Sequence, residues 1–141
     1  MLSPKVKITD IVYYSPKKNT YRMIDLKRQK YIGEMSVKVR DDLYIEKLFI
    51  NEEEREKGYG KKFLDFATKL SEKANLGGRL RLLAAKLGFG TKKQPHIFYR
   101  KYGFESMYKD ELNKIDECIK NNEPLPELFP PIYMTYNPKK K

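Results

Sequence analysis

The chain has 141 residues, 40% of them hydrophobic, and its 30 lysines and arginines against 19 acidic residues give a net charge of +11. This length fits one domain spanning 1–141 with one core; no apolar run reaches the about 20 residues of a membrane span, and the first residues lack the apolar segment of a secretory signal, so a cytoplasmic location is expected. A single cysteine, Cys118, and a single histidine, His96, leave no material for a disulfide framework or a cysteine- or histidine-built metal site. The excess of lysine is spread along the sequence and favours polyanionic partners, among them nucleotides and nucleic acid.

Residues 5–14 alternate and are rich in β-branched side chains, so they read as a strand. The cluster 15–19 (Ser-Pro-Lys-Lys-Asn) reads as a turn. Residues 20–27 alternate again, with Tyr21, Met23 and Asp25 on one side and Ile24 and Leu26 on the other. Residues 31–40 form a third strand in which Gly33 marks a bulge or a close approach, and residues 43–50 a fourth. These four make an antiparallel meander with short turns. Residues 61–75 have helical spacing, with Phe63, Leu64, Ala67, Leu70 and Ala74 in one stripe. Gly77 and Gly78 end that helix. Residues 79–85 read as a buried strand, so the fourth and fifth strands flank a helix and should run parallel.

A glycine-containing loop at 86–94 follows, with Gly88 and Gly90. Pro95 suits the first position of a short helix over 95–102, closed by Gly103. Residues 104–107 read as a short strand. Residues 109–121 form a second amphipathic helix with Leu112, Ile115 and Ile119 in a stripe, followed by a proline-rich, acidic loop to 131. Together, about 108–131 form a helical and proline-rich insertion before a last strand at 132–136. The fold class is α/β in the α+β sense, a mixed, mostly antiparallel sheet with flanking helices.

The stretch from Arg55 to Lys62 lies after a strand and opens a helix. The first helical turn carries unpaired N–H donors and the positive end of the dipole, which together bind phosphate. Gly58 and Gly60 let a ligand approach the backbone there. Further on, residues 98–104 read Phe-Tyr-Arg-Lys-Tyr-Gly-Phe.

This pair of motifs resembles the GNAT superfamily of acyl-CoA-dependent N-acyltransferases. Ile50 to Arg55 and on to Gly58 and Gly60 keep the spacing of that family's R-x-x-G-x-G/A segment, and residues 98–104 match its L-Y-x-x-x-G-F segment. The resemblance covers about 31–107, and the order of elements extends it to both ends. It implies a GNAT fold in which the fourth and fifth strands splay apart, with acetyl-CoA as the donor and CoA as a product. The pantetheine arm would lie along Leu48, Phe49 and Ile50, and the pyrophosphate on the N–H groups of Glu56, Lys57, Gly58, Tyr59, Gly60 and Lys61, with Arg55 nearby. Lys101 matches a basic position near the CoA phosphates. Tyr99 matches the tyrosine used as general acid toward the leaving thiolate, and Glu46, a polar residue in an apolar strand, is the candidate general base for the acceptor amine. No metal is implied. By alternation, Glu46 and Tyr44 share the side of Leu48 and Ile50, unless a bulge intervenes. His96 opens the Tyr99 helix and reads as a cap or surface residue. Cys118 lies away from both motifs.

The sequence departs from the pattern in three places. Lys92 stands where many members have asparagine, and Glu52 where they have proline. Only about six residues, 15–20, connect the first two strands, so the helix pair that walls the acceptor site in the family is missing. The acceptor site should be open unless the 108–131 insertion covers it. The expected activity is acetyl transfer to a primary amine, on a small molecule or on a protein lysine or N-terminus, by a monomer or homodimer. The charge also fits a CoA- or nucleic-acid-binding module on this scaffold, or an acetyltransferase acting on aminoacyl-tRNA.

Overall fold

The structure, a computed structural model, describes residues 10–85 and 94–139. The expected strand residues 5–9, the loop with Gly88, Gly90 and Lys92, and the last two lysines lie outside the described residues. A six-stranded sheet is ordered β1 (Ile11–Lys17), β2 (Thr20–Asp25), β3 (Lys30–Val39), β4 (Leu43–Ile50), β5 (Leu80–Ala84) and β6 (Ile132–Tyr136), as in the chain. All neighbours are antiparallel except β4 and β5, which are parallel. Helices α1 (Tyr59–Lys73), α2 (Pro95–Tyr102) and α3 (Lys109–Asn121) complete the fold.

Several boundaries move for identifiable reasons. β1 runs on through Pro16 to Lys17, and the turn shrinks to Lys18-Asn19, with Asn19 at φ 63°. β1 is an edge strand, where proline's missing N–H can face solvent, and its register shifts between Tyr14 and Lys17. β2 stops at Asp25 because that carboxylate accepts the backbone N–H of Arg28 (3.2 Å) and turns the chain. Helix α1 begins two residues earlier than expected. Its buried face is Phe63, Leu64, Ala67 and Ser71 rather than a stripe ending at Ala74, which is exposed. Ser71 is tolerated there because its hydroxyl donates to the Arg79 carbonyl (2.9 Å). Residues 104–107 are no strand. They contribute a single bridge, Glu105 to Thr135.

One core unites the sheet and helices. Met23, Met35, Val37 and Ile45 of the meander meet Phe63, Leu64 and Ala67 of α1, and Leu80, Leu82, Ile132 and Met134 continue that surface under Tyr99, Phe104 and Ile115. α1 reaches β1 through Tyr13, whose ring stacks on Phe66 with centroids 4.2 Å apart. α3 is pinned to α2 by the paired hydrogen bonds of Arg100 to Asp116 (2.7 and 3.2 Å). The opposite face of the sheet carries no helix among the described residues. Tyr14, Tyr31, Phe49, Leu83 and Tyr133 stand exposed on it, beside the cross-strand row in which Glu34 accepts from Arg22 (2.9 Å) and Lys47 (3.0 Å). Among the described residues no helix is long and apolar enough to cross a membrane.

Candidate active site

Parallel pairing of β4 with β5 covers only Leu43–Leu80, Tyr44–Arg81 and Ile45–Leu82. Beyond that point β4 follows β3 and β5 follows β6. The departure coincides with a bulge: Ser36 pairs with Lys47 and Val37 with Ile45, leaving Glu46 as the extra residue. The bulge breaks the alternation that would put Tyr44 on the side of Leu48 and Ile50. Tyr44 lies opposite Lys38, whereas Leu48 and Ile50 lie opposite Met35 and Gly33 on the core face. Because Asn51 N–H bonds to the Ile32 carbonyl (2.7 Å), alternation turns the backbone groups of Leu48 and Ile50 toward the gap and those of Phe49 toward β3. Phe49 therefore offers the gap a side chain rather than a strand edge.

The gap is a cleft of about 730 Å³. One wall is β4 from Ile45 to Ile50, the other Leu82, Leu83 and the face of α2 with Ile97, Phe98, Tyr99 and Lys101. Arg55, Glu56, Gly58, Tyr59 and Gly60 close one end. Of the residues expected at the site, only Lys57 and Lys61 are not in this wall. Lys57 lies 3.7 Å from Glu54 and Lys61 3.5 Å from Asp65.

The closing loop is built by a 3-10 turn, Glu52–Glu54, then left-handed backbone at Glu56 (φ 64°) and Gly58 (φ 88°). Gly58 caps α1 with no side-chain hydrogen bond, and the first turn of α1 holds no acidic residue. The first intrahelical donor is Lys62, to the Gly58 carbonyl (3.2 Å), so helix geometry leaves the N–H groups of Tyr59, Gly60 and Lys61 pointing along the axis into the cleft end. Arg55 does not face the cleft as a loose cation; its Nε donates to the Ile50 carbonyl (3.0 Å) and ties the loop to the end of β4. Gly60 also meets a packing constraint: a Cβ there would lie 2.8 Å from Phe98 Cζ.

Tyr99 is 4% exposed and packs between Phe98 and Phe104, with ring centroids 5.3 and 5.5 Å away. Burial raises its phenol above the ordinary 10. Glu46 stands at the bulge in the cleft wall, in an exposed pair with Lys38 (3.2 Å). His96 is neither a cap nor a surface residue. It is fully buried, its Nε2 bonds to the Pro130 carbonyl (3.0 Å), and its ring meets Phe129 edge-on, so it anchors the proline-rich loop. Cys118 is buried on α3. No residue of α3 or of 122–131 lines the cleft; α3 packs on α2 through the Arg100–Asp116 pair, away from the lining. Among the described residues no group of three or more His, Cys, Asp or Glu could hold a metal ion.

Sequence reasoning missed the support behind the loop. Arg28, in the β2–β3 turn, donates to the buried carboxylate of Glu54, to Asp25 Oδ2 (2.7 Å) and to the Tyr59 hydroxyl (3.3 Å). No local motif announces this contact.

The profile described as the acetyltransferase (GNAT) domain matches residues 19–106, more than half of the chain. The chain belongs to this GNAT domain family. Solved structures share its fold. A putative streptothricin acetyltransferase from Bacillus anthracis, in complex with acetyl coenzyme A, has a TM-score of 0.58 at 21% identity over 88% of this chain. The PaiA N-acetyltransferase of Thermoplasma acidophilum, with coenzyme A, has a TM-score of 0.55 at 18% identity over 84%. Arabidopsis thaliana Naa50, bound to the bisubstrate analogue CoA-Ac-MVNAL, has a TM-score of 0.55 at 18% identity over 85%. This GNAT domain spans only 65%, 59% and 73% of those three chains respectively. Among curated proteins none matches the sequence. Both motifs of this GNAT domain, at 55–60 and 98–104, lie inside the matched span.

Proposed function

We propose that this domain transfers the acetyl group of acetyl-CoA to a primary amine by direct attack within a ternary complex. The observation that carries the reading is the cleft itself. It joins a β4 edge at Leu48 and Ile50, beyond the last described pair with β5, a helix N-terminus and a buried tyrosine. Pantetheine amides extend β4 by hydrogen bonding to Leu48 and to the N–H of Ile50. The pyrophosphate sits on the first N–H groups of α1, and Lys101 adds positive charge. The acetyl-CoA and CoA bound to the Bacillus and Thermoplasma relatives support the donor.

In the reaction, the amine nitrogen attacks the thioester carbonyl carbon, and the C–S bond then breaks to release sulfur as a thiolate. Tyr99 keeps its proton at neutral pH and donates a hydrogen bond to that sulfur. Full proton transfer is uphill, because a phenol raised above 10 is a weaker acid than a thiol near about 8.5. Glu46 takes a proton from the acceptor's ammonium so that the neutral amine can attack. Its exposed pair with Lys38 is weak enough to exchange for an incoming cation. The second proton lost from nitrogen as the amide forms goes to the released thiolate or to water.

Among the described residues nothing walls the acceptor end, since β1 and β2 are joined by a two-residue turn and residues 109–131 lie behind α2. This favours an acceptor that brings its own surface, such as a polypeptide lysine or N-terminus, over an enclosed small amine. We place the activity in the cytoplasm, on a single domain in which 108–131 is an insertion. Calorimetry with acetyl-CoA, followed by mass spectrometry of an amine and peptide panel, tests the reading. Absence of binding up to the sub-millimolar range overturns it. A smaller effect is expected at Gly60. Gly60→Ala pushes the Phe98 ring into the cleft, so acetyl-CoA binds several-fold more weakly while stability falls by only about 1 kcal/mol. Paired calorimetry and urea unfolding would show it.

A further inference from the structure

Glu54 is a puzzle in an anion site. It lines the cleft beside the helix N-terminus, and its side chain is only 3% exposed. A bare carboxylate there would repel the phosphates of any CoA bound to the loop. The groups facing it are Arg28 from the β2–β3 turn, at both carboxylate oxygens, Lys57 from its own loop (3.7 Å), and Tyr59 of α1, whose hydroxyl shares the Arg28 guanidinium. Asp25 of β2 fixes that guanidinium in turn, through Nε and through the Arg28 backbone N–H.

We infer that Arg28 is a positioning residue for cofactor binding: it neutralises Glu54 and, through Glu54 and Tyr59, holds the phosphate loop against the β2–β3 turn. The inference rests on the acetyl-CoA reading above. Arg28 contacts three residues spread over β2, the 3-10 turn and α1. Its guanidinium can do so because it is planar and has five donors, which a lysine cannot reproduce. The Arg28 pairing holds the Glu54 carboxyl below its ordinary 4.5, so this contribution to stability is complete above about pH 4.5 and is lost as pH falls. Without Arg28 most of that lowering is lost: only Lys57, 3.7 Å away, still favours the charged form, and burial pushes the carboxyl upward.

The test compares wild type, Arg28→Met and the double variant Arg28→Met/Glu54→Gln, using CoA as the probe. Arg28→Met should bind CoA roughly 10- to 100-fold more weakly at pH 8, and the deficit should shrink toward pH 6 as Glu54 takes up a proton. The double variant should bind within about threefold of wild type, a rescue that a merely structural loss would not give. Thermal unfolding gives a readout independent of CoA: Arg28→Met should gain stability from pH 8 to pH 6, where wild type should not. If wild type binds CoA and Arg28→Met binds it equally well, the inference fails alone; a double variant as weak as Arg28→Met also overturns it. If wild type itself binds no CoA, the cofactor reading beneath it fails.

Discussion

Replacing Tyr99 by phenylalanine lowers turnover by roughly 100-fold and leaves acetyl-CoA affinity within about twofold of wild type. The substitution isolates the hydroxyl. The ring is held between Phe98 and Phe104 and belongs to the core, so phenylalanine keeps those contacts. In the proposed mechanism, what disappears is the donor to the sulfur as negative charge develops on it, an interaction that would be stronger in the transition state than in the ground state. The pH profile carries a second signature. Burial raises the phenol above 10, so wild type should show no loss of rate from this group below about pH 10. Steady-state kinetics with acetyl-CoA and any active amine, alongside calorimetry on both proteins, decide the matter. An unchanged kcat would assign Tyr99 to packing alone.

Gly33→Ala is the substitution expected to cost the fold most for a single added methyl group. Gly33 pairs across from Ile50 at the far end of β4, and a Cβ there would collide with the Phe49 carbonyl oxygen and lie 3.2 Å from Ile50 Cα. Both obstacles are backbone, so no rotamer relieves them and β4 itself must move. The cost is about 3 kcal/mol, the upper end for overpacking, which lowers the unfolding midpoint by about 10 °C. The displaced residues are those whose amides border the cleft, so CoA affinity should fall together with stability. Calorimetric unfolding of the variant checks the first effect and CoA titration the second. A midpoint within 2 °C of wild type, a tolerance set at about 0.5 kcal/mol, would show that β4 has room to spare.

Much of this architecture was legible because it is periodic. The bounds of α2, α3 and β6 and the parallel run of β4 and β5 follow from apolar spacing and from Pro95 and Gly103 as punctuation. Gly33 was readable as a bulge or a close approach; it is the close approach, and the bulge falls on its neighbour Ile32, which the β2–β3 register skips. What escaped is what depends on partners distant in sequence. Nothing near Arg28 indicates Glu54, and nothing near His96 indicates the Pro130 carbonyl that lets an imidazole be fully buried. Alternation failed at Glu46 for a physical reason: one inserted residue reverses the facing of everything before it, and local spacing carries no mark of the insertion.

The order of the strands has a consequence for assembly. Each strand pairs with its neighbour in sequence, but the connections differ: among the described residues, tight turns join β1 to β4, a 3-10 turn and α1 separate β4 from β5, and α2 and α3 separate β5 from β6. Local hairpins close early, while pairings across helices wait on a larger loss of chain entropy. The cleft therefore lies on the seam between a quickly formed meander and a later-docking half, joined at the sheet by three residue pairs. Partial opening of that seam would empty the cleft while the four-stranded meander stays folded, so a cofactor bound as proposed would act as the clasp between the two halves.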